Sequence, residues 1–195
     1  MTTAEENKRI VSRIREDVEE RLKDGSLDVV CYACTSGSLV IGEERVMAEL
    51  RRGAPGARPT TLITGVIRAL RAVEARRIVV ATPYLPEIDA AERDYLEAAG
   101  FEVLEIAGLG LERDSDMVRV APESIAEFAL SLDRPEAEAI FVSCGALRTL
   151  DVVQRIEDAA GKPVIASTQA MMWDMLRLAG VVDRIDGHGR LLRDH

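Results

Sequence analysis

Residues 139–156 read Ala-Ile-Phe-Val-Ser-Cys-Gly-Ala-Leu-Arg-Thr-Leu-Asp-Val-Val-Gln-Arg-Ile. The short apolar run Ala139 to Val142 breaks into Ser143, Cys144 and Gly145, and Val152, Val153 and Ile156 then recur at helical spacing. The unit implied is a strand, a tight break and a helix. It returns along the chain: Ile78 to Ala81 runs into Thr82, Pro83 and Tyr84; Phe101 to Ala107 into Gly108 and Gly110; Val164 to Ala166 into Ser167, Thr168 and Gln169. Near the start, Asp28 to Ala33 leads past Cys34 into Thr35, Ser36, Gly37 and Ser38, where the strand is expected to end in a loop. Helical stripes separate these runs, at Ile63, Val66, Ile67, Leu70 and Val73, at Ile88, Leu96 and Ala99, and at Ile125, Phe128 and Ala129. Pro122 suits a first helical turn, while Gly100, Gly161 and Gly180 suit helix ends. Alternation of this kind predicts parallel strands with helices on both faces, an α/β fold.

Further out the pattern is less regular. Thr3 and Glu6 have capping-box spacing, and Ile10, Ile14, Val18 and Leu22 mark an amphipathic helix that Gly25 stops. Gly53 to Pro59 is expected to be a flexible connection and a seam, and the polar tail after Gly180 a surface segment. Four of the five expected strands lie between Arg77 and Ser167, so the first 75 residues offer a single strand. That strand must join the other sheet, pair with a partner, or lack neighbours, and an unpaired edge suggests a homodimer.

Composition narrows the function. The 195 residues carry 25 Lys and Arg against 34 Asp and Glu, a formal charge of −9, which argues against a nucleic-acid partner. No stretch has the length of apolar sequence a membrane helix needs, and residues 1–6 lack a signal-peptide order, so a soluble, cytoplasmic protein is expected. Three cysteines are too few for a disulfide framework, and with two histidines they show no metal-ligand spacing.

The chemistry is expected beyond the carboxyl ends of the strands, where ligands bind in open parallel sheets. Cys34 and Cys144 occupy equivalent strand ends, each followed by small polar residues that let an anion approach the backbone. A cysteine at a strand end is often plain packing, and Cys31, inside the strand, fits that role. Two at equivalent ends point instead to thiol chemistry, dividing nucleophile and acid, or base and acid, between them without metal or cofactor. Tyr84 either faces that cleft or is a surface aromatic. Arg148 reads as a solvated helix-start residue, His188 and His195 as tail residues, Gly108 and Gly110 as a turn, and Met171, Met172, Trp173, Met175 and Leu176 as a packed helix face. No dinucleotide or phosphate-loop motif is present.

The strings CYACTSGS (31–38), ATPYLPEID (81–89), FVSCGALRTLDVVQRIEDAAGKPVIAST (141–168) and QAMMWDMLRLAG (169–180) resemble the maleate cis-trans isomerase and arylmalonate decarboxylase branch of the aspartate/glutamate racemase superfamily. The resemblance implies two pseudo-symmetric parallel-sheet domains with a cofactor-free active site between them. By that likeness residues 1–76 with 169–195 form the first domain, lacking its N-terminal strands, and residues 77–168 the second. Cys34 and Cys144 match the cysteines of the two domains, and Thr35, Ser36, Tyr84 and Gly145 match positions that hold substrate carboxylates. The implied activity is isomerisation of a small dicarboxylate, in which the first thiolate adds to a cis double bond and the second cysteine assists proton transfer. The decarboxylase branch keeps only the second cysteine. A racemase, an ectoine-utilisation relative, or a shortened non-catalytic module for carboxylate binding or assembly are the other expectations. Asp89 and Asp116 fall where relatives often carry Asn, and a carboxylate there would repel a dicarboxylate.

Overall fold

The computed structural model describes residues 13–20 and 27–195. Helix α1, at residues 13–20, is the described part of the first amphipathic helix; Thr3, Glu6, Ile10, Leu22 and Gly25 lie outside the described residues. Strand β1 (Val29–Tyr32) leads into α2 (Thr35–Ile41) and α3 (Glu43–Gly53), and β2 (Arg58–Thr61) into α4 (Leu62–Ala72). Then follow β3 (Arg77–Thr82), α5 (Pro86–Ala98), β4 (Glu102–Gly108), α6 (Asp114–Met117) and α7 (Pro122–Ser131). The chain closes with β5 (Ala139–Val142), α8 (Val153–Ala160), β6 (Val164–Ala166), α9 (Ser167–Ala179) and α10 (Arg190–Asp194).

Every strand pair is parallel. One sheet is β1-β2 and the other runs β4-β3-β5-β6. The apolar runs are continuous because the larger sheet is covered on both faces. Ile78 and Val80 of β3 join Phe141 and Ile165 in a core under α4 and α9, while Val79 and Ala81 join Ile140, Val142 and Val164 in the core under α7 and α8. A third, smaller core gathers Ile14, Val30, Val46, Leu50 and Ala57 beside the two-stranded sheet. Helices α4 and α9 cross closely at Gly65, where a Cβ would meet the Ala170 carbonyl oxygen at 3.0 Å. Buried Asp174 of α9 reinforces the crossing, accepting from Thr60 Oγ1 at 2.5 Å and from Arg68 at 2.9 Å.

Three expectations are corrected. The string after Cys34 is no loop: Thr35 opens α2, with Cys34 as its N-cap. The segment expected as a flexible seam, Gly53 to Pro59, ends inside β2, so the described part of the first 75 residues holds two strands that pair with each other. Strand β2 reads Arg-Pro-Thr-Thr, without an apolar run, yet Thr60 and Thr61 are fully buried; as an edge strand it tolerates the N–H missing at Pro59. The tail is a surface segment only in its first part, where Val181 to Arg184 are exposed. Leu191 and Leu192 are buried in the α4–α9 core, Arg190 N donates to Glu157 Oε2 at 2.9 Å, and Gln169 Nε2 donates to the His188 carbonyl at 2.6 Å. Truncating Leu191 to Ala should therefore cost about 2–5 kcal/mol of stability in chemical denaturation, as for a core leucine, rather than the near-zero change of a surface residue.

Candidate active site

Both cysteine segments follow strands, and each is shaped by its own turn. Cys34 has extended backbone and caps α2, its Sγ accepting from Gly37 N at 3.3 Å while Ser38 Oγ donates to its carbonyl at 2.7 Å. Ser36 Oγ lies 3.8 Å from the same sulfur. A side chain at position 37 would crowd the Cys34 turn, because a Cβ there would stand 2.6 Å from the Tyr32 hydroxyl and 3.0 Å from Cys34 Sγ. Burial, and then the neighbouring Cys34 thiol, push the Tyr32 phenol up to about 12.

Cys144 follows β5 with φ of 93°, a left-handed conformation that costs a side-chain-bearing residue about 1–3 kcal/mol. The surroundings hold it there. Ser143 N donates to the Ala81 carbonyl at 2.8 Å, Cys144 N to Ser167 Oγ at 3.0 Å, and Ala146 N to Cys144 Sγ at 3.3 Å. Met117 Sδ packs 3.8 Å from that sulfur. Burial raises the Cys144 pKa, the Tyr84 hydroxyl and the amides of Ala146 and Leu147 oppose the rise, and the charge of Asp114 adds to it. Tyr84 is itself pushed far above the ordinary phenol range, by burial first and then by Cys144 and Glu92.

The two turns meet across a cavity of about 260 Å³ lined by Ala33, Cys34, Thr35, Ser36, Tyr84, Asp114, Cys144, Gly145 and Ala146. All six residues singled out from the sequence, Cys34, Thr35, Ser36, Tyr84, Cys144 and Gly145, are therefore brought together. The Thr35 hydroxyl is buried beside Tyr84, yet among the described residues no group meets hydrogen-bond geometry with its Oγ1. Among the described residues no Lys, Arg or His lines the cavity, so an anion there would be met by hydroxyls and by amides at the helix start and the Cys144 turn.

Other sequence candidates lie elsewhere. Asp89 does not reach this cavity: it is buried on α5, takes a hydrogen bond from Thr82 Oγ1, and borders a separate cavity of about 520 Å³ beyond Tyr84. Burial raises its pKa and the Thr82 bond opposes the rise. Asp116 turns outward to Arg113 and Arg119, and the acid that lines the cavity is Asp114. The string Ser167, Thr168, Gln169 serves the frame, Ser167 holding Cys144 N and Gln169 Oε1 accepting from Ala166 N. Cys31 stays within β1, where burial and then Asp174 push its thiol up to about 12. Arg148 is exposed, and among the described residues no group of three or more His, Cys, Asp or Glu is placed to hold a metal ion. No described helix is long and apolar enough to cross a membrane.

Sequence reasoning missed Tyr32, Glu92 and Asp114. Tyr32 stands two residues before Cys34, the spacing that puts side chains on one side of an extended chain. Glu92 stands four residues from Ile88 and from Leu96, within the apolar stripe of α5. Asp114 gave no signal distinguishing it from Asp116, because the start of α6 decides which of the two faces inward.

The family model for arylmalonate decarboxylase matches residues 2–192. The chain is 31% identical over 180 residues to the arylmalonate decarboxylase of Bordetella bronchiseptica, covering 90% of this chain and 75% of that protein. It is 28% identical over 187 residues to the maleate isomerase of Nocardia farcinica, covering 92% of this chain and 74% of that protein. Among solved structures it superimposes with a TM-score of 0.89, at 25% identity over 99% of this chain and 82% of the other, on a cysteine-to-serine mutant of the Nocardia farcinica maleate cis-trans isomerase with a covalently bound succinylcysteine intermediate. Sequence and backbone agree on the kinship, and this chain belongs to the arylmalonate decarboxylase family.

Proposed function

We propose that this chain is a cofactor-independent isomerase of a small dicarboxylate, with Cys34 as nucleophile and Cys144 as proton donor and acceptor. The observation that carries the reading is the single cavity to which two different strand ends each bring a thiol. In the proposed reaction the Cys34 thiolate adds to one carbon of a cis double bond. A C–S bond forms, and the π electron pair moves to the neighbouring carbon, where the adjacent carboxylate delocalises it. Cys144 gives that carbon a proton, the remaining single bond rotates, and Cys144 takes the proton back. Re-formation of the double bond then expels the Cys34 thiolate and leaves the trans diacid. The protonated adduct of maleate would be a succinyl thioether, the kind of species named in the Nocardia farcinica structure. Burial, which keeps the Cys144 proton in place, suits an acid. Thr35, Ser36, Tyr84 and Gly145 would bind the carboxylates.

A second reading, decarboxylation with Cys144 protonating the resulting carbanion, is favoured by the 31% identity to an arylmalonate decarboxylase. The cysteines separate the two. Cys34→Ala and Cys144→Ala should each lower conversion of maleate to fumarate, followed by proton NMR, by at least ~10³-fold with an unchanged thermal transition. Near-native turnover in either variant rules the two-thiol isomerase out. Carbon dioxide release from an arylmalonate that survives Cys34→Ala and disappears in Cys144→Ala would establish the decarboxylase instead.

Asp114 should work against a dianion. Asp114→Asn is expected to lower KM for maleate by up to about fivefold at low salt, the worth of one charge in a water-rich cleft, and to shift the Cys144 titration to lower pH. A KM that is unchanged at low salt would place the second carboxylate away from this residue.

A further inference from the structure

Glu92 of α5 is completely buried, and the proposed reaction leaves it without a part. Its Oε1 accepts from Ser143 Oγ at 2.7 Å, and its Oε2 is buried with no hydrogen-bond partner among the described residues. Ser143 immediately precedes Cys144 and is held to β3 through the Ala81 carbonyl, so Glu92 braces the residue next to the strained turn while Ser167 braces Cys144 itself. It is also close enough to Tyr84 for its charge to act on the phenol that contacts Cys144.

We propose that Glu92 is a positioning residue for the Cys144 half of the site, acting through its hydrogen bond to Ser143 and through its charge on Tyr84. The groups that face it are few. Asp89 lies one turn earlier on its own helix, bonded to Thr82, and Tyr84 approaches from the β3–α5 loop. Helix α2, packed against α5, has no ionisable side chain other than the Cys34 cap beside it. Strand β4, also packed against α5, carries exposed Glu102 and half-buried Glu105, which pairs with Arg134. Burial pushes the Glu92 carboxyl up to about 8, the Ser143 bond opposing the rise and Asp89 adding to it. Below that value the uncharged form is favoured, which suits a buried oxygen that faces no donor. As pH rises through that value a buried negative charge appears behind Tyr84. It holds the phenol proton more tightly and resists thiolate formation at Cys144.

The inference rests on Cys144 being the reactive group of its half of the site, but its test reads the thiol and needs no substrate. In full-length protein carrying Cys31→Ala and Cys34→Ala, Cys144 is the remaining cysteine. Its alkylation by iodoacetamide is followed by intact mass from pH 6 to 10. With Glu92 present, the rate should bend below the single-thiol curve above about pH 8. Glu92→Gln keeps an acceptor for Ser143 but cannot ionise; it should restore a single-thiol curve and raise the rate at pH 9 at least ~3-fold, corresponding to a shift of ~0.5 pH unit. Ser143→Ala, which keeps the acid and cuts the bond that lowers its pKa, should move the bend to higher pH. A merely structural Glu92 predicts superimposable curves for Glu92 and Glu92→Gln. That result, or a bend unmoved by Ser143→Ala, overturns the proposal, and neither would bear on whether maleate is isomerised.

Discussion

The parallel register of β3 and β5 is the constraint from which the site follows. Pairing Val79 with Ile140 and Ala81 with Val142 ends the two strands level, and the Ser143 N–H then meets the Ala81 carbonyl. Thr82 to Tyr84 and Ser143 to Cys144 emerge side by side as a result. A slip by one residue would move Val79 and Ala81 out of one core and Ile78 and Val80 out of the other. The burial of both faces thus fixes where Cys144 emerges. The left-handed backbone at Cys144 depends on the same frame, because strain of that size persists only where surrounding contacts over-determine the conformation.

The other side of the cavity is built independently, by a helix cap on a two-stranded sheet. What ties it to the larger sheet is the tight crossing of α4 and α9, with Gly65 against Ala170 and Asp174 reaching to Thr60 and Arg68. Cys34 and Cys144 therefore share a cavity through a chain of close packing that neither motif announces. The C-terminal helix α10 belongs to that chain, since Leu191 sits in the core between α4 and α9.

What the sequence revealed follows from these physical differences. The strands β3, β5 and β6 were legible because burial on two faces demands an unbroken apolar run. Strand β2 was not, because its buried residues are threonines whose partners lie far away in the chain: Thr60 bonds to Asp174, and Thr61 caps α4 by accepting from Thr64. The tail misled for a similar reason. Two leucines among charged neighbours look like surface until the groove they fill is known. Of the six sequence candidates at the cavity, Cys34, Thr35, Ser36, Cys144 and Gly145 are legible as cysteines and small residues at strand ends, whereas Tyr84 enters on the family resemblance. Asp114 and Glu92 are not legible, since whether an acid faces water, a cavity or a core is decided by helix placement rather than by local composition.

Among the described residues, no Lys, Arg or His stands on the cavity wall. Peptide dipoles and alcohol groups neither gain nor lose a proton between mild acid and mild alkali. A guest acid gripped by them would meet unchanging partners across that range, and any acidity dependence of its residence would trace to the guest itself, to Cys144, or to Glu92 behind Tyr84.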